Sequence, residues 1–528
     1  MLPTSADAVV VGSGPNGLVA AALLSDAGWD VVVLEAHNHL GGSVASAETT
    51  AAGFVVDLCS AFYPLAAASP VLNELELGIS WEHAPLVLAH PLPDGRCVTL
   101  SRDLDETADS VGSFAAGDAA RWRAMVEEWV DVRNDLLDVL LRPFPPVRAG
   151  ARLARTLGPS GVARFARRAV MPVRAMAAEE FDGEGAGLLL AGNALHADLS
   201  PDSAGSGIFG WLLAMLAQEI GFPVPRGGAG VLAEALADRA RRPGAVVVTS
   251  TPVEEVVVRG GRALGVRTAG GDAVRARRAV LADVPAPILF GDLVGRDVLP
   301  TRVRVLMERY PWDDATLKVN WALSGPMPWK AEAARLAGTL HVGADMDGLS
   351  WVSASLARGD APVEPFLLVG QMTTTDPSRS PEGTESLWAY THLPQELAGD
   401  SAVADKQVRR VEAVLEAYAP GFGDIVLSRH VQRPTDFQHR NPSLFRGAIN
   451  AGTAAPFNQL VFRPWAGLGR AETPVERLYL ASASAHPGGG VHGACGANAA
   501  RAALLEARGT PGRAASKLLR SVIRAANS

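Results

Sequence analysis

The stretch AVVVGSGPNGLVAAALLSDAGWDVVVLE, residues 8–35, decides the fold of this 528-residue chain. The apolar run at 8–11 predicts a buried strand, and LVAAALLSDA (18–27) predicts a helix that ends at Gly28. A second strand is predicted at 31–34 and ends at Glu35. These pieces form one β-α-β unit, so the sequence predicts an α/β fold with a dinucleotide-binding domain that starts here.

Three glycines stand in the G-x-G-x-x-G register between the first strand and the helix: Gly12, Gly14 and Gly17. The first permits a tight turn, the second lets the backbone approach a pyrophosphate, and the third lets the helix pack against the strand. Pro15 fits the first helical position, where its missing N–H costs nothing. Glu35 is placed to accept hydrogen bonds from ribose hydroxyls.

Two further glycine-rich stretches favour a flavin dinucleotide over a nicotinamide one. The pair in EAHNHLGGS (35–43) would let the chain pass close to the pyrophosphate and ribityl chain of FAD. Near the other end, LYLA (478–481) predicts a strand that leads into HPGGGVHGACGANAARAAL (486–504), a glycine turn followed by a helix. The N-terminus of such a helix can stabilise negative charge on a reduced flavin.

These motifs, together with PRGGAGVLAEAL (225–236), NPSLFRGAINAG (441–452) and FRP (462–464), resemble those of the phytoene-desaturase-related FAD-dependent oxidoreductases. The resemblance spans most of the chain and is closest to the branch of pyridine nucleotide-disulphide oxidoreductase domain 2-like proteins. Ser43 stands where related desaturases often carry Arg, and Ser482 where they often carry Gly. Both departures weaken a transfer of desaturase chemistry, and neither removes flavin binding.

The resemblance implies a two-domain flavoprotein. A Rossmann-type FAD-binding domain, with the nucleotide fold of glutathione reductase, would take residues 1–85, 225–300 and 455–528. An inserted α+β substrate domain, an antiparallel sheet with a helical cap, would take residues 86–224 and 301–454.

The residues expected to bind FAD lie in the glycine-rich stretches, apart from one valine whose backbone contact with adenine the resemblance implies. They are Gly12, Gly14, Pro15, Asn16, Gly17, Glu35, Ala36, Gly41, Gly42, Ser43, Val253, Gly488, Gly489, Gly490 and Val491.

Three residues are candidates for catalysis. Lys318 lies inside an apolar strand with Thr316 and Asn320 on its own face. Facing a flavin it could hold a water or carry a proton, whereas the alternative is an edge lysine that reaches solvent. His492 could reach the flavin edge or the substrate, or could order the loop instead. Arg463 could line the active site or bind an acidic group of the substrate, or lie on the surface.

Cysteine and histidine usage disfavours several other classes of site. Cys59, Cys97 and Cys495 are widely spaced without a C-x-x-C pair, which disfavours a disulfide framework, a zinc ribbon and a dithiol redox centre. The sequence contains no H-E-x-x-H and no G-x-S-x-G, and no metal site is expected. We interpret Cys495 as a packing residue and His486 as a residue that orders the glycine turn.

A basic segment stands out in an otherwise acidic chain. Eight arginines and no acidic residue occur within 142–174, although the net charge is −8. The helix predicted there carries an apolar stripe formed by Val162, Phe165, Ala169 and Val170. Such a helix is typical of a contact with anionic lipid or an acidic carrier protein, and the alternative is a solvated or salt-bridged surface. The net negative charge disfavours a nucleic-acid partner.

Targeting signals and spanning segments are not apparent. The opening residues MLPTSADAVVVG lack the pattern of a secretory signal. The longest strongly apolar run, 205–217, is shorter than the ~18 residues that a membrane helix needs. We expect a cytoplasmic protein. If it binds to a membrane surface, we expect the basic segment to make that contact.

The leading prediction is an FAD-dependent enzyme that moves a hydride between flavin N5 and a carbon-carbon bond of an apolar, polyene- or isoprenoid-like substrate. That substrate would arrive free, dissolved in a membrane or bound to a carrier protein, and NAD(P)H would be the electron donor for a reduction. Desaturation, reduction and isomerisation all stay open, as does the oligomeric state. The alternatives are a flavin amine or amino-acid oxidase, a non-catalytic FAD-holding scaffold and a nicotinamide dehydrogenase.

Overall fold

The computed structural model describes residues 2–509 except 296, 344 and 468, together with 512, 514, 517, 518, 520 and 521. Its strands are β1 (Ser5–Val11), β2 (Val31–Leu34), β3 (Ser46–Ala47), β4 (Val56–Asp57), β5 (Trp81–Glu82), β6 (Leu86–Pro91), β7 (Cys97–Leu100), β8 (Val224–Pro225), β9 (Val246–Val248), β10 (Val253–Arg259), β11 (Arg262–Thr268), β12 (Ala273–Ala282), β13 (Ala315–Leu323), β14 (Ala337–Val342), β15 (Leu367–Gln371), β16 (Glu385–Leu393), β17 (Val426–Gln432) and β18 (Leu478–Leu480).

The α-helices are α1 (Pro15–Asp26), α2 (Pro64–Ala68), α3 (Pro70–Glu74), α4 (Leu104–Gly112), α5 (Asp118–Leu141), α6 (Val147–Val170), α7 (Val173–Glu180), α8 (Glu184–His196), α9 (Ser206–Glu219), α10 (Ala229–Arg241), α11 (Thr301–Glu308), α12 (Met346–Ala357), α13 (Met372–Thr375), α14 (Ser401–Tyr418), α15 (Pro434–Arg440) and α16 (Ala494–Ala507). Short 3-10 turns occur at Glu332–Leu336, Pro377–Arg379, Gln395–Leu397, Gly423–Ile425, Phe445–Gly447, Pro456–Asn458 and Leu460–Phe462, and a π-helix at Ile288–Leu293.

The first sheet has the strand order β10-β11-β12-β1-β2-β9, with β18 also paired to β12. The pairs β12–β1, β1–β2, β2–β9 and β12–β18 are parallel, whereas β10, β11 and β12 form an antiparallel meander. Ala8 and Val10 of β1 belong to the core beneath α1, α10 and α16, whereas Val9 and Val11 face the opposite core. Burial on both faces explains why β1 is an unbroken apolar run.

The second sheet has the strand order β17-β13-β16-β15-β14-β6-β7 and is antiparallel except for the parallel pair β14–β6. The cap of helices α4–α9 packs against one face, where Trp122, Trp129 and Trp211 are fully buried. The other face forms a separate core that includes residues of α14. β13 lies between β17 and β16, and all nine of its residues are buried.

The arginine-rich segment forms α6, which is interrupted at Gly158 (φ +67°) just before Pro159. Phe165 packs edge-on against Trp211 of α9, with the ring centroids 6.2 Å apart. Val162 and Val170, in contrast, are 39% and 64% exposed. Of the predicted apolar stripe, Phe165 thus packs against the cap, whereas Val162 and Val170 lie on the protein surface.

The fold prediction is confirmed: the chain is an α/β protein with a Rossmann-type sheet and a second, mostly antiparallel sheet under a helical cap. The first sheet draws its strands from residues 5–34, 246–282 and 478–480, and the second from residues 86–100 and 315–432. The domain boundaries given above stay a prediction. Among the described residues, no helix combines the length and the apolar character needed to cross a membrane.

Candidate active site

One cavity of about 600 Å³ connects the glycine-rich loops with the interior beneath the helical cap. At one end its wall is formed by the β1–α1 turn, the end of β2 and the C-terminal glycine turn. At the other end it is lined by side chains of α9, of residues 59–65 and of β16. The regions predicted for cofactor and substrate therefore share one continuous space.

Most of the residues predicted to bind FAD line this cavity. Those that do are Gly12, Gly14, Pro15, Asn16, Glu35, Ala36, Gly42, Ser43, Val253, Gly489, Gly490 and Val491. Gly17, Gly41 and Gly488 lie behind the wall. A Cβ on Gly41 would fall 2.5 Å from the Cβ of Ala233, and one on Gly488 would fall 3.2 Å from Nε of Arg463. These three glycines support the turns rather than face the cavity.

The β1–α1 turn has the geometry of a phosphate cradle. Gly12 adopts φ +93°, and its N–H donates to the carbonyl oxygen of Leu34 at 2.9 Å. Gly14 precedes Pro15, the first residue of α1, and both line the cavity. The unpaired N–H groups and the partial positive charge of a helix N-terminus suit a pyrophosphate.

Glu35 ends β2 at the same edge of the sheet. Its Oε2 accepts hydrogen bonds from the N–H and the hydroxyl of Ser13, at 2.9 and 2.6 Å, and its Oε1 accepts one from the N–H of His37 at 2.9 Å. A carboxylate can accept about four hydrogen bonds, so Glu35 keeps capacity for a ribose hydroxyl. Val253, at the start of β10, lines the cavity near this end.

The C-terminal glycine turn lies beside the N-terminal one because α16 packs directly on α1. Gly493 (φ +68°) is the N-cap of α16, and Gly496 sits against the carbonyl oxygen of Asn16, where no side chain would fit. A Cβ on Gly489 would fall 2.8 Å from Oδ1 of Asn450. Only glycines at these positions allow the two turns to meet.

Lys318 is buried behind the cavity wall and is not one of the lining residues. Its Nζ donates to the carbonyl oxygen of Asp57 and lies 5.1 Å from the ring centroid of Trp388, which does line the cavity. Burial lowers the pKa of Lys318 to about 8, against the opposing effect of Asp57. The solvent-exposed edge lysine is excluded, because only 2% of Lys318 is exposed and β13 is an inner strand.

His492 is likewise buried behind the turn. Its Nδ1 accepts a hydrogen bond from the N–H of Ala494 at 3.0 Å, at the start of α16, and burial lowers its pKa to about 4. Nε2 of His486 lies 3.1 Å from the carbonyl oxygen of Arg142. The two histidine rings therefore form hydrogen bonds with backbone groups, and these bonds hold the glycine turn in place.

Arg463 lines the cavity and is completely buried. Nε donates to the carbonyl oxygen of Ala483 at 2.9 Å, Nη1 to that of Thr453 at 3.0 Å, and Nη2 to that of Asn450 at 2.9 Å. Within the described part of the chain its hydrogen bonds go to backbone carbonyls, and no carboxylate pairs with it. Arg463 thus ties the loop 450–453 to the C-terminal glycine turn.

The inner arm of the cavity is apolar. Its wall includes Phe62, Leu65, Phe209, Leu212, Leu213 and Phe222. Trp388 and Tyr390 project from β16 with their rings stacked, 5.8 Å between centroids and 16° between planes. Since the two rings contact each other, they leave no slot between them for a flat ligand.

A buried polar cluster adjoins the apolar arm, and the sequence-based prediction missed it. His196 and Tyr390 line the cavity, and His392 lies behind them with Nε2 3.1 Å from Oδ1 of Asp198. Asn450 donates to Oδ2 of Asp198 at 3.3 Å. Burial lowers the pKa of His196 to about 4 and raises that of Asp198 well above its usual range. Burial thus disfavours the charged form of His196, His392 and Asp198.

No sequence signal marks this cluster, since its members come from α8, β16 and the loop before Gly452. Asp283, which also lines the cavity, was missed as well. It directly follows β12, and a polar residue at the carboxyl end of a buried parallel strand is a signal that could have found it. In the described residues no group of three or more histidine, cysteine or acidic side chains has the arrangement of a metal site.

Comparisons with known proteins agree with this geometry. A family model described as flavin containing amine oxidoreductase matches residues 16–504. Pyridine nucleotide-disulfide oxidoreductase domain-containing protein 2 of Rattus norvegicus is 29% identical, over 94% of this chain and 92% of that protein. One of the limonene dehydrogenase subunits of Castellaniella defragrans is 23% identical (94% of each chain), and a zeta-carotene-forming phytoene desaturase of Myxococcus xanthus is 27% identical (92% and 90%).

Solved structures share the fold at lower identity. An oxidoreductase from Methanosarcina mazei has a TM-score of 0.63 and 16% identity, over 94% of this chain and 99% of that one. Putrescine oxidase bound to putrescine has a TM-score of 0.60 and 17% identity, over 95% and 99%.

The residues around the cavity fit FAD: the glycines of the β1–α1 turn leave room for a pyrophosphate at the N-terminus of α1, and the C-terminal turn closes the far side. The predicted resemblance to phytoene desaturases and their relatives is confirmed. The matched region covers most of the chain. The chain belongs to the flavin containing amine oxidoreductase family and is an FAD-dependent oxidoreductase.

Proposed function

We propose that this flavoprotein oxidises, reduces or isomerises a carbon-carbon bond of an apolar, polyene- or isoprenoid-like substrate. The observation that carries the proposal is the apolar inner arm of the cavity, which is continuous with the flavin loops. A water-poor arm of this kind binds a hydrocarbon by excluding water from its surface. The full-length similarity to a phytoene desaturase and to part of a limonene dehydrogenase supports the same substrate class.

In this proposal the β1–α1 turn and the N-terminus of α1 hold the pyrophosphate, Glu35 holds a ribose, and the backbone at Val253 contacts adenine. The C-terminal glycine turn carries the isoalloxazine end. When bound, FAD supplies a hydride acceptor or donor at N5. The protein orients the substrate in the apolar arm and excludes water from it.

We assign a role to each of the three predicted catalytic residues, although Lys318 and His492 lie behind the residues that line the cavity. Lys318 acts as a positioning residue through Trp388 and the carbonyl of Asp57. His492 and Arg463 hold the glycine turn that carries the flavin. His196 and Tyr390 are titratable side chains that line the inner arm, and we propose them as the groups that exchange a proton with the substrate.

The test is an anaerobic absorbance spectrum of the purified protein, to which phytoene, limonene and NAD(P)H are added in turn. Bleaching of the flavin band by a hydrocarbon supports desaturation. Bleaching by NAD(P)H followed by reoxidation by a polyene supports reduction. A flavin spectrum that no hydrocarbon or NAD(P)H changes contradicts carbon-carbon redox and favours an amine oxidase or a non-catalytic FAD-holding protein.

Amine oxidation is the second candidate. It is favoured by Asp198, a buried carboxyl that adjoins the cavity through Asn450 and whose Oδ1 lies 3.1 Å from Nε2 of His392. A carboxylate there would suit a substrate ammonium. The stacked pair Trp388 and Tyr390 argues against an aromatic cage around an amine. Bleaching by putrescine or benzylamine, with hydrogen peroxide formed in air, would establish this alternative.

We also propose that α6 contacts an anionic membrane surface, or an acidic carrier protein, that delivers the substrate to a cytoplasmic enzyme. Five of the eight arginines at 142–174 form ion pairs with acidic residues of the protein, for example Arg167 with Glu179. Within the described residues no such pair occurs for Arg148, Arg155 and Arg164. These three carry the proposal, since their charge is not neutralised locally.

A further inference from the structure

Asp283 touches all three glycines of the GSGPNG turn. It follows β12, the strand next to β1, and it lines the cavity. A Cβ on Gly12 would lie 2.9 Å from its carbonyl oxygen, one on Gly14 would lie 2.5 Å from its Oδ2, and one on Gly17 would lie 3.1 Å from its Cβ. A side chain on Gly12 or Gly14 would therefore collide with Asp283, and one on Gly17 would collide with the carbonyl oxygen of Gly12, 2.3 Å away, as well as approach Asp283.

The carboxylate is also hydrogen-bonded to the turn. The N–H of Gly17, the third residue of α1, donates to Oδ2 of Asp283 at 2.8 Å. This N–H is one of the four at a helix N-terminus that have no partner inside the helix. Asp283 therefore fixes the orientation of the turn by bonding a group that a phosphate could otherwise take.

No cation is paired with Asp283 within the described part of the chain. Burial raises the pKa of Asp283 to about 7, the Gly17 N–H opposes this, and Glu35 at the end of β2 raises the pKa further. Cys495 in the first turn of α16 also faces it, and burial raises the pKa of that thiol to about 12. Apart from the N-terminus of α1, the groups that act on the Asp283 carboxyl are thus neutral or negative.

We propose that Asp283 is a positioning residue for FAD, which holds the GSGPNG turn in its binding geometry and carries a proton while the pyrophosphate is bound. A pyrophosphate brings two negative charges to the same turn, and like charges in a water-poor site repel each other strongly. A protonated carboxyl removes this repulsion and still accepts the Gly17 N–H. FAD binding then takes up one proton whenever Asp283 is ionised beforehand.

The proposal predicts the direction of the pH dependence. Below about pH 7 Asp283 is already protonated, so the Kd for FAD is constant. Above it the Kd rises, by about tenfold or more between pH 6.5 and 8.5, because each pH unit above the pKa costs up to a factor of ten. His39 lines the cavity near the ribose end, and burial lowers its pKa, so a variant of Asp283 is needed to attribute the pH dependence of the Kd to Asp283.

The experiment is a titration of the full-length chain, freed of flavin, with FAD, followed by quenching of flavin fluorescence from pH 6 to 9. Asp283→Asn keeps an oxygen that can accept the Gly17 N–H but cannot ionise. We expect its Kd to be constant with pH and about tenfold below the wild-type value at pH 8.5. Asp283→Ala removes the acceptor and should weaken FAD binding at every pH.

Asp118→Asn is the matched control, because Asp118 is also fully buried and accepts backbone N–H bonds from Asp182 and Gly183, far from the cavity. It should leave the pH dependence unchanged. Calorimetry of the wild type in two buffers counts the protons directly, close to one per FAD at pH 8 and close to none at pH 6. The proposal would be overturned if the Kd for FAD changed with pH equally in wild type and Asp283→Asn. It would also be overturned if FAD binding took up no proton at pH 8. Neither readout depends on the substrate.

Discussion

Lys318 makes the stability of the protein depend on pH. Its pKa in the folded protein is about 8, whereas the ordinary value is 10.5. Between these values the unfolded chain binds a proton that the folded protein does not, so the contribution of Lys318 to stability rises with pH. From pH 7.5 to 9.5 we expect the free energy of unfolding of wild type to gain about 2 kcal/mol relative to Lys318→Met.

Urea unfolding of both proteins at the two pH values measures this difference. The variant should also retain FAD, while its flavin is reduced more slowly by substrate. If the difference in the free energy of unfolding between wild type and Lys318→Met did not change with pH, Lys318 would stay charged in the folded protein. Loss of FAD would make the residue part of the cofactor site.

Arg463 is the residue whose truncation should damage the flavin site most. Arg463→Met leaves the carbonyls of Asn450, Gly452 and Ala483 unpaired in a buried place, and each unpaired group costs about 1–3 kcal/mol. We expect a loss of at least about 3 kcal/mol of stability and a lower FAD content, measured by urea unfolding and by the flavin-to-protein absorbance ratio.

Arg358→Met is the comparison for Arg463→Met. Arg358 forms an exposed ion pair with Asp360, and such pairs contribute about 0–1 kcal/mol. If both variants lost a similar free energy of unfolding, the hydrogen bonds of Arg463 to the buried carbonyls would contribute no more to stability than an exposed ion pair does.

The residues of the site differ in how well their roles can be predicted from the sequence. The roles of glycines such as Gly12 and Gly42 can be predicted, because a positive φ and the close approach of neighbouring backbone disfavour other residues there. Lys318 stands out in an apolar strand, but its contact with Asp57 depends on tertiary packing. His196 and His392 could not be predicted, because nothing local records that α8 and β16 meet.

At the scale of single elements, α6 gives a prediction about membrane contact. Replacing Arg148, Arg155 and Arg164 by Gln should weaken binding to phosphatidylglycerol vesicles by about 100-fold, since each basic residue near an anionic surface contributes about 1 kcal/mol. Co-sedimentation at two salt concentrations measures the effect, which should shrink as salt screens the charges.

The paired variant Arg152→Gln and Arg167→Gln is the control, because both arginines are already neutralised by acidic neighbours. Equal losses in both variants, or no binding by the wild type, would contradict a membrane role for α6.

Elements were predictable where a pattern is repeated within the element itself. The unit β1-α1-β2 follows from its apolar runs and glycines, and the apolar segment at 205–217 forms most of the largely buried helix α9. Which residues of the α6 stripe are packed was not predictable, because Phe165 contacts Trp211 of α9 only through tertiary packing. A hydrophobic pattern shows which residues could be buried, whereas packing decides which are.

At the scale of the whole molecule, a buried ion pair joins the two-stranded β3–β4 sheet to the segment between β15 and β16 of the second sheet. Asp57 of β4 pairs with Arg379 at 2.6 Å, and both side chains are completely buried. Oδ1 of Asp57 also accepts from Ala229 N–H at the start of α10, and its carbonyl accepts from Lys318 of the second sheet. Breaking such a pair on one side leaves an uncompensated charge and costs about 3–5 kcal/mol.

We therefore expect Arg379→Met to lower stability by that amount and to loosen FAD binding, although Arg379 does not line the cavity. The double variant Asp57→Asn and Arg379→Met should lose clearly less than the sum of the single variants. A double-variant cycle measured by urea unfolding tests this, and simple additivity would rule out the coupling.

The order of the elements along the chain has a consequence for biosynthesis. α1 is translated well before α16, the helix that packs on it, and β12 is translated well before its partner β18. Until then the nascent chain exposes the apolar surface of α1 on which α16 will pack. Contacts between such distant segments form slowly and leave intermediates open to aggregation. Flavin capture must therefore be a late step, and chaperones that shield nascent chains should raise the yield of holoprotein more than added riboflavin does.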